Sequence, residues 1–130
     1  MLDYIRIACA VPEVQVANVE KNTQEICSFM EKADSQNVDV LVFPELAMTG
    51  YSCGDLFLQD ALQSAVEAGL ERILECSAAH PQLTSVIGLP VRSGMKIFNC
   101  GLWLAPVLCR VWYLTKPDCL PRCIPHFRPR

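Results

Sequence analysis

Residues 40–57, VLVFPELAMTGYSCGDLF, decide how this chain is read. Val40 to Phe43 are four successive apolar residues, and a short run without polar alternation reads as a strand buried on both faces. Pro44 stops the run, and the carboxylate of Glu45 follows at once. Thr49-Gly50-Tyr51 and Gly54-Asp55 then mark turns. Open α/β sheets collect their ligand chemistry just beyond the carboxyl ends of their strands. A carboxylate fixed there and partly desolvated by apolar neighbours is suited to general acid or base work. A loop glutamate that caps a helix or joins an ion pair fits the same local pattern, and the local sequence leaves both readings open.

On the N-terminal side, YIRIACAV (4–11) is apolar with one charge and predicts a central strand closed by Pro12. Val19, Ile26, Cys27, Met30 and Ala33 recur three, four or seven apart among charged residues. That spacing predicts an amphipathic helix with Asn18 as its N-cap and Asn37 at its end. Val38 to Phe43 is the second strand.

On the C-terminal side, Leu62, Val66, Leu70, Ile73 and Leu74 form the stripe of a helix over about Gln59 to His80, with Pro81 beyond it. TSVIGLPV (84–91) and KIFNCGLWL (96–104), joined through Ser93-Gly94, predict a β-hairpin. The order β-α-β-α-β-β, with strands too apolar to be wetted, predicts an α/β layered domain.

The 130 residues are enough for one ordinary domain or part of a larger one, and 52% of them are hydrophobic, so a packed core is expected. A net charge of −3 supplies no basic field for nucleic acid or an anionic membrane. The longest apolar run, Gly101 to Cys109, is interrupted by Pro106 and is too short to span a bilayer. Asp3 and Arg6 around a short apolar run make a poor signal peptide, and a cytoplasmic protein is expected. Five of the eight cysteines (Cys9, Cys27, Cys53, Cys76, Cys100) lie isolated within apolar or periodic segments. They read as small buried hydrophobes kept reduced.

Residues 105–130 differ in kind. They hold five of the nine prolines, three of the eight cysteines and no glycine, with a charge of +4 against −7 for everything before. Proline removes donors and fixes φ, so an irregular tail is expected. Within it, Cys119, Cys123 and His126, together with Cys109, offer a possible four-ligand zinc set, which would make the tail a metal-stapled interaction module.

FPELAMTGY (43–51) resembles the glutamate motif of the nitrilase, or carbon–nitrogen hydrolase, superfamily. AVPEVQVANVEKN (10–22) and FPELAMTGYSCGDLF (43–57) together resemble, more narrowly, the glutaminase domain of bacterial glutamine-dependent NAD+ synthetases. VIGLPV (86–91) and KIFNC (96–100), with its Phe98-Asn99 pair, are similar to that family's third and fourth strands. The resemblance covers residues 4–104. It implies the N-terminal part of a nitrilase-like α-β-β-α sandwich: a partial glutaminase domain over 1–104, followed by a frame-shifted or foreign tail over 105–130.

It also implies a Glu-Lys-Cys triad. Glu45 would take the thiol proton, a cysteine would attack the amide carbon of glutamine, and a lysine would hold the oxyanion. The released ammonia would feed NAD+ synthesis. Tyr51 would line the substrate pocket. The lysine that comes nearest the family pattern is Lys116 in LTKPDCLP, one residue out of register. The nucleophile falls beyond this chain's match, so the chain alone is expected to be inactive or a remnant. The family implies no cofactor for the glutaminase step. ATP and magnesium would serve only the missing synthetase domain, and a homo-oligomer is the family's expected state.

Overall fold

The computed structural model of the chain describes residues 4–105 in full and the backbone of residues 108–113. The elements follow in the order β1 (Ile7–Cys9), α1 (Val19–Ser35), β2 (Val40–Val42), a 3-10 segment (Gly54–Leu58), α2 (Asp60–Ala79), β3 (Thr84–Ser93), β4 (Lys96–Ala105) and β5 (Leu108–Tyr113). The five strands form one sheet in sequence order. β1, β2 and β3 run parallel, and β3, β4 and β5 run antiparallel. This is the expected α/β layer with one strand more.

That extra strand corrects the expectation of irregular chain from Ala105 onward. β4 runs through Ala105, and LCRVWY pairs in register with it, Leu102 opposite Val111 and Gly101 opposite Trp112. The tail's prolines, apart from Pro106, begin at Pro117, so averaging over 26 residues hid a short run of strand-forming types.

α1 begins where Asn18 accepts a hydrogen bond from the Lys21 amide at 3.2 Å, the expected cap. It ends at Ser35, and Asn37 turns the chain with φ 54°, a value asparagine tolerates better than most residues. α1 and α2 pack against each other, and α2 packs on β3 and β4. Gly69 permits the close crossing, because a Cβ there would stand 2.7 Å from the Thr23 hydroxyl and 2.9 Å from the end of Met48.

Strand alternation divides the sheet into two unlike faces. Leu41, Ser85, Ile87, Leu89, Cys100, Leu102 and Leu104 share one face and are all buried. With Ile26, Met30 and Ile73 from the helices, all of them but Ser85 form the hydrophobic core. Each such aliphatic side chain contributes about 1.5–3 kcal/mol by leaving water. The other face carries Ile7, Cys9, Val40, Val42, Val86 and Trp103, none of them buried. Ile7 is 65% and Trp103 40% exposed. Among the described residues β1 is therefore an edge strand with an open face, not the central strand expected, and Cys9 is exposed rather than buried. Its apolar composition suits a surface that awaits cover, which a sequence alone does not distinguish from one already covered.

Candidate active site

Glu45 stands where the chain leaves β2, on the sheet face that the helices do not cover. Its place is set by backbone packing. The Phe43 amide donates to the Val86 carbonyl at 2.8 Å, prolonging the β2–β3 ladder up to Pro44. The next residues lie directly over Gly88. A Cβ at that position would meet the Leu46 nitrogen at 2.4 Å, the Pro44 oxygen at 2.5 Å and the Glu45 Cα at 2.8 Å. Only a glycine lets the turn sit so low on β3.

The turn is then locked from its far side. Leu46 adopts φ 51°, unusual for a branched apolar residue, and its carbonyl accepts from the amides of Thr49 (3.1 Å) and Gly50 (2.8 Å). Gly50 has φ 84°, and a Cβ there would stand 3.3 Å from the Val16 Cα. The Ala17 amide donates to the Thr49 carbonyl at 2.7 Å. Asn22 of α1, 2% exposed, completes the lock. Its Nδ2 donates to the carbonyls of Gln15 (2.7 Å) and Met48 (3.0 Å), and its Oδ1 accepts from the Gln15 amide at 2.8 Å. Cys53 is buried and donates to the Thr49 carbonyl at 3.1 Å, so its thiol serves this turn.

The Glu45 carboxylate is held by Asn99 of β4, whose Nδ2 donates to Glu45 Oε1. Asn99 lies opposite Pro90 in the β3–β4 ladder, on the same face as Gly88. Its Oδ1 is buried and has no donor among the described residues. The arrangement can aim a carboxylate and leave it free to accept a proton.

Glu45 is at the strand end as read, but it is exposed rather than partly desolvated, because no described element covers that face. Tyr51 follows Gly50 on the surface and is 75% exposed. Lys116, Cys119, Cys123 and His126 lie outside the described residues, and of Cys109 only the backbone is described. Among the described residues, no group of three or more His, Cys, Asp or Glu could hold a metal ion. Sequence reading marks Asn99 only as a member of the Phe98-Asn99 pair and gives it no role, and it gives Gly88 and Asn22 none. Asn99 carries a signal, a lone amide inside the apolar run KIFNCGLWL; Gly88 and Asn22 carry none that local reading can use.

The layer topology is that of nitrilase-fold proteins. The chain superposes on a nitrilase-superfamily amidase from Nesterenkonia with a TM-score of 0.74 at 19% identity, over 84% of this chain and 42% of the other. It superposes on a glutamine-dependent NAD(+) synthetase from Cytophaga hutchinsonii with a TM-score of 0.71 at 33% identity, over 82% and 18%. The chain belongs to the carbon-nitrogen hydrolase family, whose model matches residues 6–107. Its relatives include the glutamine-dependent NAD(+) synthetases of Xylella fastidiosa, 34% identical over 84% of this chain, and Mycobacterium leprae, 32% identical over 76%. The chain spans 19% and 14% of those two relatives' lengths. No helix among the described residues is long and apolar enough to cross a membrane.

Proposed function

We propose that this chain is the N-terminal part of a glutamine amidohydrolase domain and carries its general base, Glu45. The observation that carries the reading is the hold on Glu45, packed over Gly88 and hydrogen-bonded by Asn99, in a chain 34% identical to a glutamine-dependent NAD(+) synthetase. In this reading Glu45 takes the proton of a cysteine thiol as that sulfur attacks the carboxamide carbon of glutamine. Lys116 stabilises the oxyanion, Tyr51 lines the pocket, ammonia leaves for NAD+ synthesis, and water releases glutamate from the thioester. In this reading the step needs no cofactor, and ATP and magnesium would serve only a separate synthetase domain. The setting is cytoplasmic and the assembly homo-oligomeric.

The five described cysteines support the view that the nucleophile is none of them. Cys53 is committed to its turn and Cys100 faces the helix-covered core. Cys27 and Cys76 lie on helices, and Cys9 lies on the edge strand. None of these five is therefore expected to hydrolyse glutamine with Glu45; Cys119 and Cys123 lie outside the described residues, and of Cys109 only the backbone is described.

The test is a chimaera in which residues 6–104 replace the matching region of the Xylella fastidiosa relative. Glutaminase activity should be retained, and Glu45→Gln should lower it by about 10²–10⁴-fold while ammonia-dependent synthesis persists. Unchanged glutamine turnover in the Glu45→Gln chimaera would place the base elsewhere.

A further inference from the structure

The seam between α1 and α2 carries two thiols that the proposed hydrolytic site does not use. Cys27 lies on α1 and Cys76 on α2, both free and half-buried. Cys76 Sγ stands 4.0 Å from the Cys27 carbonyl oxygen, so the two residues touch across the seam.

Their register is fixed on both sides. On one side Gly69 packs against Thr23, close enough that a Cβ would collide with the hydroxyl. On the other, His80 Nδ1 and Asp34 Oδ2 pair at 3.0 Å across the helix ends. The contacts Thr23–Gly69, Cys27–Cys76 and Asp34–His80 follow one another along two helices running the same way, so the two cysteines are brought together by helix packing and not through a loop's chance approach.

We propose that Cys27 and Cys76 form an oxidisable dithiol, a modification site that takes a hydroperoxide and closes to a disulfide bridging α1 and α2. The Cys27 sulfur attacks the peroxide, an S–O bond forms as the O–O bond breaks, and Cys27 becomes a sulfenic acid while an alcohol or water leaves. The Cys76 sulfur then attacks the Cys27 sulfur. An S–S bond forms, the S–O bond breaks, and the oxygen leaves as water with the Cys76 proton. Two thiols are oxidised by two electrons and one peroxide is reduced.

The order of the two cysteines follows from their surroundings. Burial, the Cys27 thiol and the Glu31 carboxylate push the Cys76 thiol up to about 12, so Cys76 is protonated at neutral pH and acts second. Cys53 and Cys100 are buried and out of a peroxide's reach. The bridge would close a loop of some fifty residues, and the constraint a bridge places on the unfolded chain grows with loop length.

The experiment treats the purified chain with a few equivalents of hydrogen peroxide and maps its tryptic peptides without reduction. The expected product joins peptide 22–32 to peptide 73–92 within one molecule, lighter by two hydrogens, in most of the protein, with a melting temperature that rises and returns on adding dithiothreitol. Cys76→Ser should leave Cys27 as a sulfenic acid trapped by dimedone, and Cys27→Ala should leave Cys76 as reactive towards maleimide as before peroxide. Should a variant fail to fold, the wild-type peptide map alone decides. Bridges from Cys27 to any cysteine other than Cys76, bridges between chains only, or unchanged maleimide labelling of both cysteines after peroxide would overturn the proposal.

Discussion

Gly88 of β3 lies directly beneath Glu45, so close that a Cβ at position 88 would stand 2.8 Å from the glutamate's Cα and 2.4 Å from the next amide nitrogen. The carboxylate is thus placed by main chain resting on main chain, a support that no side-chain rearrangement can yield to.

Gly88→Ala should therefore destabilise the domain by about 1–3 kcal/mol, the usual range for forcing volume into a packed site. Gly101 lies opposite it in the ladder, and a Cβ there would have nothing within 4 Å, so Gly101→Ala should fall within about 0.5 kcal/mol of the parent. Urea unfolding of the two variants side by side checks this. Equal losses would mean that the turn does not rest on Gly88.

Asn99→Asp replaces the donor that faces Glu45 with a second carboxylate. It should cost about 1–3 kcal/mol at neutral pH, more than Asn99→Ala, because the variant both loses the hydrogen bond and sets two like charges together. The comparison is again one of urea midpoints. An Asn99→Asp variant as stable as the parent would show that the amide does not hold the carboxylate.

Alkaline pH should weaken the fold. Burial pushes the Cys100 thiol up to about 12 from an ordinary 9.0, and Cys76 is raised to the same level. The unfolded chain releases these protons near the ordinary value while the folded chain still holds them. Stability is then whole below about pH 9 and is lost as pH rises toward about 12. Urea midpoints measured across that window should fall, and Cys100→Ala should show a shallower decline than the parent. Parallel declines would remove Cys100 as a cause.

The open sheet face should make the isolated chain self-associate. Ile7 and Trp103 lie on it, and among the described residues β1 leaves an unpaired edge beside it. Sedimentation velocity at micromolar concentration should show dimers or larger species. Ile7→Lys combined with Trp103→Lys should weaken that association at least about tenfold, each large side chain contributing about 1.5–3 kcal/mol when covered. A monodisperse monomer with a sharp, reversible melt would contradict this.

Much of the layer was legible because the chain's local signals agree with one another. Asn18, the stripe of α1, the Ser93-Gly94 turn and the apolar run before Pro44 each predicted an element that is present. What escaped reading was relational. Whether β1 lies at the edge or the centre depends on what pairs with it, and YIRIACAV is equally apolar in either place. The 3-10 segment over GDLFL has no periodicity to betray it, and LCRVWY was hidden by the prolines that follow. Glu45 announced itself by standing alone after a core strand. Asn99 reaches it from 54 residues away in sequence, and such a pairing is written in no local pattern.

The three hydrogen bonds of Asn22 bear on the order in which the chain can assemble. This one amide binds the main chain seven residues before it and 26 residues after it. While the chain is being made, α1 is complete before its later anchor, Met48, exists. Until that carbonyl arrives, the helix would have to bury an unmatched amide in order to dock, which is costly. Docking of α1 and closure of the Glu45 turn are thus one cooperative event. Hydrogen exchange should show the amides of Ala17, Thr49 and Gly50 opening together with those of α1, and Asn22→Ala should release them all at once.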